Sequence, residues 1–206
     1  MTAHYRNLMQ GPNAHAVRAD LLGRPSAPEA EEAPAPDRLG PDERAFIEAR
    51  DSFFMGTNGE TGWPYMQHRG GPAGFVNVLS ETDFAFPDFR GNRQYISVGA
   101  LAGDDRAAFF FLDPARQARL KLIGRARAVD LKDDPVLAAR LALPDYPSPE
   151  RPARVERAIV VRVEAFDWNC PQHITPRFSA AEIAPAIAKL QARIAALEAE
   201  LAASRG

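Results

Sequence analysis

The chain has 206 residues, of which 46% are hydrophobic and 25% charged, with a formal net charge of −2. This is ordinary globular composition for one domain with appendages. The slightly acidic balance opposes a nucleic-acid binder, which needs a basic excess against phosphates. A single cysteine, Cys170, excludes an intramolecular disulfide and a cysteine-rich zinc site.

No run of residues is apolar over the length a membrane span needs, and the N-terminus "MTAHYRNLMQGPNAHAVRAD" lacks a signal-peptide core. The expected location is therefore cytoplasmic. Within residues 1–41, "AVRADLLG" reads as a short helix ended by Gly23, an arm or a loosely held tail. Residues 24–41, "RPSAPEAEEAPAPDRLGP", hold five prolines and three glutamates, a composition that cannot bury enough surface to offset its ordering entropy. It reads as an extended linker or strap.

A helix is expected from Pro41, because proline suits the first helical position and Asp42 and Glu43 suit the positive end of the dipole. Strand signals follow. "FFMGT" and "WPYMQHR" around the turn cluster "NGETG" predict a hairpin. "FVNVLS", "DFAFP", "RAAFFFLD", "RLKLIGRARAVDL" and "ARVERAIVVRVEAFDW" predict further strands, with a short helix over 133–143 and a proline-rich loop, "YPSPERP". Six or seven mostly meander-connected strands without a βαβ rhythm predict a mainly β fold with peripheral helices, closed as an antiparallel barrel. The barrel domain is expected over 42–178.

Residues 179–206 change character. Ile183, Ile187, Leu190, Ile194, Leu197 and Leu201 are spaced 4, 3, 4, 3 and 4, a heptad seam. Ser179 and Glu182 have capping-box spacing, while Pro185 predicts either a kink or a later start. The seam suits packing on the barrel and suits a dimer zipper.

The chemistry-bearing residues concentrate at strand ends. In "PDFRGNRQ", Arg90, Gly91, Asn92 and Arg93 occupy a strand-to-helix junction. A helix N-terminus offers free N–H groups, Gly91 permits close approach, and Arg93 supplies forked donors for phosphate oxygens. "PYMQHRGG" delivers Gln67, His68 and Arg69 just before two glycines. "FDWNCPQHITPRF" closes the last strand with an aromatic, a thiol, an imidazole and an arginine.

With the motifs "PYMQHRGGPAGF", "FPDFRGNRQYISVG", "FLDPARQARLKLIGRA" and "DWNCPQHITPRF" in this order, the chain resembles the pyridoxamine 5′-phosphate oxidase superfamily of FMN-binding split barrels, over roughly residues 40–180. It most resembles the branch of flavin-nucleotide-binding proteins. The resemblance implies a homodimer with FMN at the subunit interface. It implies that Gln67 and His68 line the flavin, that Arg69 reaches the phosphate, and that Phe86 and Pro87 cover the ribityl chain. Gly91, Asn92 and Arg93 match the family's Ser-Arg-Lys phosphate clamp; Asn92 departs from the expected arginine, and Arg90 stands beside it as a substitute. Arg119 falls where the oxidase has a flavin-contacting glutamine. Trp168 aligns with a partner-subunit tryptophan, and Arg177 lies close to a matching arginine.

One departure bears on the reaction. The oxidase holds pyridoxal phosphate with an Arg-x-His pair beyond its tryptophan, where this chain reads "ITP", Ile174 to Pro176. This departure counts against vitamin B6 oxidation, and the expected function is an FMN-dependent oxidoreductase acting on an unknown small substrate, with His173 as candidate acid/base. The alternative is a flavin-binding, sensing or electron-transfer protein without turnover.

Overall fold

The computed structural model describes residues 2–23, 35–168 and 171–205. Most of the proline-rich stretch, residues 24–34, and Cys170 lie outside the described residues. Helices α1 (Ala3–Met9) and α2 (Pro12–Leu22) precede that stretch, and α3 (Pro41–Glu48) follows it. Gly23 ends α2 in the left-handed conformation that glycine adopts without penalty. Then come β1 (Ser52–Asn58), β2 (Pro64–Gly70), β3 (Asn77–Val78), β4 (Asp83–Phe89), α4 (Ile96–Gly103), β5 (Arg106–Asp113) and β6 (Ala118–Asp130). The chain closes with α5 (Pro135–Arg140), the two-residue strands β7 (Pro147–Ser148) and β8 (Arg151–Pro152), β9 (Val155–Trp168) and α6 (Ala180–Arg205).

Seven strands form one antiparallel sheet in the order β2-β1-β5-β6-β9-β4-β3. The sheet curls until its two ends meet through side chains. Phe53 on β1 packs edge-on against Phe86 on β4, ring centroids 4.9 Å apart. Arg69 on β2 pairs with Asp88 on β4 at 2.6 Å. This is the antiparallel barrel expected from the strand pattern, in the split form that the family resemblance implied. Its interior is aromatic: Phe53, Phe75, Phe84, Phe86, Phe109 and Phe111 are each no more than 2% exposed. Face-to-edge ring contacts there add to the gain from burial itself.

β4 is buried on both faces, with Phe84 and Phe86 in the barrel and Ala85 beneath Leu137 and Leu141 of the α5 region. β6 and β9 are the longest strands and bend at a bulge between Ile123 and Gly124. A Cβ at Gly124 would collide with the carbonyl oxygen of Arg162, so the close approach of the two strands requires glycine.

Residues 35–40 run beside the sheet as a strap. Asp37 accepts from the Phe166 amide (3.0 Å) and the Thr2 hydroxyl (2.6 Å), while its own amide donates to the Glu164 carbonyl (2.9 Å). Leu39 is 4% exposed in the barrel core. The arm is seated as well, with His4 and Tyr5 of α1 buried. α6 runs through Pro185 from a capping box at Ser179 and Glu182. Its heptad seam does not pack on the barrel; every seam residue is at least 40% exposed.

Candidate functional site

The residues singled out in β2 and in the turn after β4 converge. Tyr65, Gln67 and Arg69 point from alternate positions of β2 into a cleft of about 70 Å³. Asp88 closes its floor, and Gly91 to Val98 form the opposite wall. The convergence is a product of barrel closure, since β2 and β4 stand at opposite ends of the hydrogen-bonded strand order.

Two non-glycine residues in this wall, Arg93 (φ 63°) and Tyr95 (φ 52°), adopt the left-handed conformation. Such positions are held only where surrounding structure imposes them, and they concentrate at functional sites. Gly91 does not use its conformational freedom; it leaves open space above the backbone. Asn92 stabilises the turn, its side-chain oxygen accepting from the Gln94 amide at 3.3 Å. α4 then starts at Ile96 with no side-chain cap. Its first amides are left as donors on the wall of the cleft.

The electrostatics are uneven around the cleft. Asp88, with a side chain 9% exposed, pairs with Arg69 and, at 3.0 Å, with Arg157 of β9. Arg157 continues to Glu156 at 2.7 Å and lies 4.7 Å over the Tyr95 ring. Arg90 reaches Glu156 at 3.8 Å, and the Tyr95 hydroxyl donates to Glu156 at 3.2 Å. Among the described residues Arg93 has no ion-pair or hydrogen-bond partner. In the lining of the cleft itself two guanidiniums, Arg69 and Arg93, face one carboxylate, Asp88, an excess of one positive charge, while Arg90, Arg157 and Glu156 lie beside the cleft and not in its lining. The Nε of Arg69 is buried and unpartnered. Deeper in, the Ser97 hydroxyl donates to Gln67 Oε1 at 3.1 Å, which leaves the Gln67 amide NH₂ as a donor.

The remaining candidates stand elsewhere in this chain. His68 points to the opposite face of β2, against Phe54 at 5.7 Å, because successive strand residues alternate. Phe86 lies in the barrel core and Pro87 is buried, so neither side chain lines the cleft. Arg119 lies on β6 opposite Leu112, with a buried, unpartnered Nε. Trp168 donates to Glu43 at 2.7 Å and packs edge-on against Phe46. His173 is exposed in a left-handed turn. The Ile174 carbonyl accepts from Gln117 at 2.8 Å. Arg177 lines a separate groove with Arg50, Phe54 and Phe110.

Sequence reasoning missed Asp88, Ser97, Arg157 and Glu156. Asp88 carried a signal: it continues the alternation of Phe84 and Phe86, so an acid was due to enter the barrel and need a cation. Arg157 and Glu156 carried none, because only the β4–β9 pairing, Asp88 opposite Arg157, brings them in.

The sequence profile of the pyridoxamine 5′-phosphate oxidase family matches residues 39–166, well over half of the chain and all of the cleft. The chain belongs to this family. Solved structures similar to this pyridoxamine 5′-phosphate oxidase family member include HupZ of Group A Streptococcus, with 11% identity, TM-score 0.48, 68% of this chain and 99% of that chain covered. A protein from Clostridium acetobutylicum related to general stress protein 26 shares 18% identity at TM-score 0.44, covering 69% and 94%. An FMN-binding protein from Syntrophomonas wolfei shares 10% at TM-score 0.43, covering 62% and 83%. Among curated proteins none matches the chain. Among the described residues, no helix is long and apolar enough to cross a membrane.

Proposed function

We propose that this family member binds FMN with its phosphate in the cleft between β2 and the Arg90–Tyr95 turn, as a homodimer whose subunits share each flavin, and that it is an FMN-dependent oxidoreductase. The observation that carries the reading is the net positive cleft with an unpaired Arg93, a buried Arg69 Nε without a partner and an uncapped helix start. A phosphomonoester carries about −1.5 to −2 charges near neutral pH, which a positive lining and free amide donors attract. Arg93 and the turn amides would hold the phosphate, with Arg69 held in place by Asp88. The Gln67 amide, fixed by Ser97, would donate to the polar edge of the ring system.

Size supports a shared site. Small-molecule pockets usually run to about 300–1,000 Å³, while the cleft is about 70 Å³. It suits the phosphate end alone, so the ring needs a second wall. Trp168, His173 and Arg177 do not line the cleft in their own chain. Val155 at the start of β9 pairs with Phe89 beside the cleft, and Trp168 is the last residue of that strand. The intervening strand path is roughly 40 Å. A second copy can present them. FMN, when bound, supplies the hydride and electron chemistry. His173 of that second copy is the residue of this chain offered for moving a proton.

The test compares two flavins. Arg93→Ala should weaken FMN by about 10- to 150-fold, the equivalent of about 1.5–3 kcal/mol for one charge-assisted contact. Riboflavin, which lacks the phosphate, should bind the variant as it binds wild type. Equal losses for both flavins would refute phosphate binding by Arg93. A protein that takes up neither flavin would refute the whole reading.

A further inference from the structure

α6 ends the chain with an apolar face that nothing in its own chain covers. Ile183, Ile187, Leu190, Ile194, Leu197 and Leu201 are between 40% and 65% exposed. We propose that α6 pairs with α6 of a second copy of this chain as a parallel, in-register two-stranded coiled coil.

The seam itself favours that occupant. Its spacing places Ile187, Ile194 and Leu201 at heptad position a and Ile183, Leu190 and Leu197 at position d. Isoleucine at a with leucine at d, as in the two central layers here, favours two parallel strands over higher assemblies. The rest of the helix is rich in alanine, the strongest helix former, and its start is secured by the Ser179–Glu182 capping box.

Charge supports the same pairing. Arg193 falls at position g and Glu198 at position e of the next heptad. In a parallel dimer these two positions meet across the seam. Within its own helix Arg193 has Lys189, Leu190, Ala196 and Leu197 three and four residues away, and Glu198 has Ile194, Ala195, Leu201 and Ala202. Neither has an opposite charge at the spacing where helix side chains meet. Among the described residues neither makes an ion pair. A second copy supplies the missing partner twice, by symmetry. The seam is short for an isolated coiled coil, but barrels that already form a dimer would hold the two helices at high effective concentration. The pairing is independent of flavin, so its failure and the failure of the FMN reading are separable by flavin absorbance.

Cysteine cross-linking in the full chain tests the proposal, in a Cys170→Ser background where the introduced thiol is the only one. Under mild oxidation Leu190→Cys should become a covalent dimer, and Ala192→Cys, on the outer face, should stay monomeric on a denaturing gel. Arg193→Glu in the Leu190→Cys background should lower the cross-linked fraction severalfold, and adding Glu198→Arg should restore it. Circular dichroism and flavin content check that each variant is folded. A folded Leu190→Cys variant that does not cross-link would overturn the proposal. So would an antiparallel pattern, in which Ile183→Cys links to Leu201→Cys in a mixture and the charge swap restores nothing.

Discussion

Asp88 holds two arginines that would otherwise repel each other across the mouth of the barrel. Its side chain is 9% exposed, and those of Arg69 and Arg157 are 12% and 20% exposed. At such burial the hydrophobic alternative to an ion pair is often equally stable, but removal of one partner strands the others. Asp88→Ala should therefore cost about 3–5 kcal/mol. Urea unfolding at neutral pH measures it; a loss below about 1 kcal/mol would mean that water reaches the arginines and solvates them. Asp88→Asn should cost less, because it keeps a hydrogen-bond acceptor. Arg93 is the contrast: it is exposed and unpaired, so Arg93→Ala should leave stability nearly unchanged while FMN affinity falls. A residue that matters for ligand but not for folding is what separates this turn from the network beneath it.

At the scale of elements, the β6–β9 bulge and the β3–β4 turn each make a prediction. Gly124→Ala would force a methyl against the Arg162 carbonyl across two strands that cannot separate without breaking the ladder. Overpacking of this kind costs about 1–3 kcal/mol, and thermal unfolding should show it. In the β3–β4 turn, burial opposes ionisation of Asp83, but hydrogen bonds from Thr82 and Ser80 and the charge of Arg162 outweigh it and hold the carboxyl below its usual range. A depressed carboxyl stabilises the fold above its unfolded pKa, about 3.9, and that contribution disappears as pH falls through the lowered folded value. The stability gap between wild type and Asp83→Asn should be constant from neutral pH to about 4, then close below it. A gap that widens on acidification would contradict the assignment. The elements themselves were largely legible. Proline and two acids fixed the start of α3, and the "NGETG" turn fixed the β1–β2 hairpin. In "GRARAV" a period of two holds at Ala126, buried between exposed Arg125 and Arg127, and is lost at Ala128, which is exposed near the end of β6. The site was legible in its parts only. Donor-rich segments stood out at 67–69 and 90–93, but their meeting depends on a sheet order in which β4 pairs with β9 and β1 with β5, pairings that no local pattern contains. His68 was separable from Gln67 in advance, because a period of two sends neighbours to opposite faces. The family resemblance placed both on the flavin.

For the whole molecule, the aromatic interior and the seated strap make one barrel, while Trp168, His173 and Arg177, proposed to complete the cleft from a second copy, do not line it in their own chain. β9 is the cause. One strand carries Arg157 at the cleft and, at its other end, Trp168, with Arg177 shortly after it. A site assembled from opposite ends of that strand in two copies has a genetic signature. A chain crippled at Arg93 and a chain crippled at Arg177 would each form two poor sites when alone. Mixed together, they would form hybrid dimers in which one site inherits both lesions and the other inherits neither. Unfolding and refolding an equal mixture should then recover about a quarter of the wild-type FMN capacity from two inactive preparations, given random pairing in a two-fold dimer. A site contained within one chain would recover nothing. Two damaging alleles of this protein could thus rescue each other in one cell.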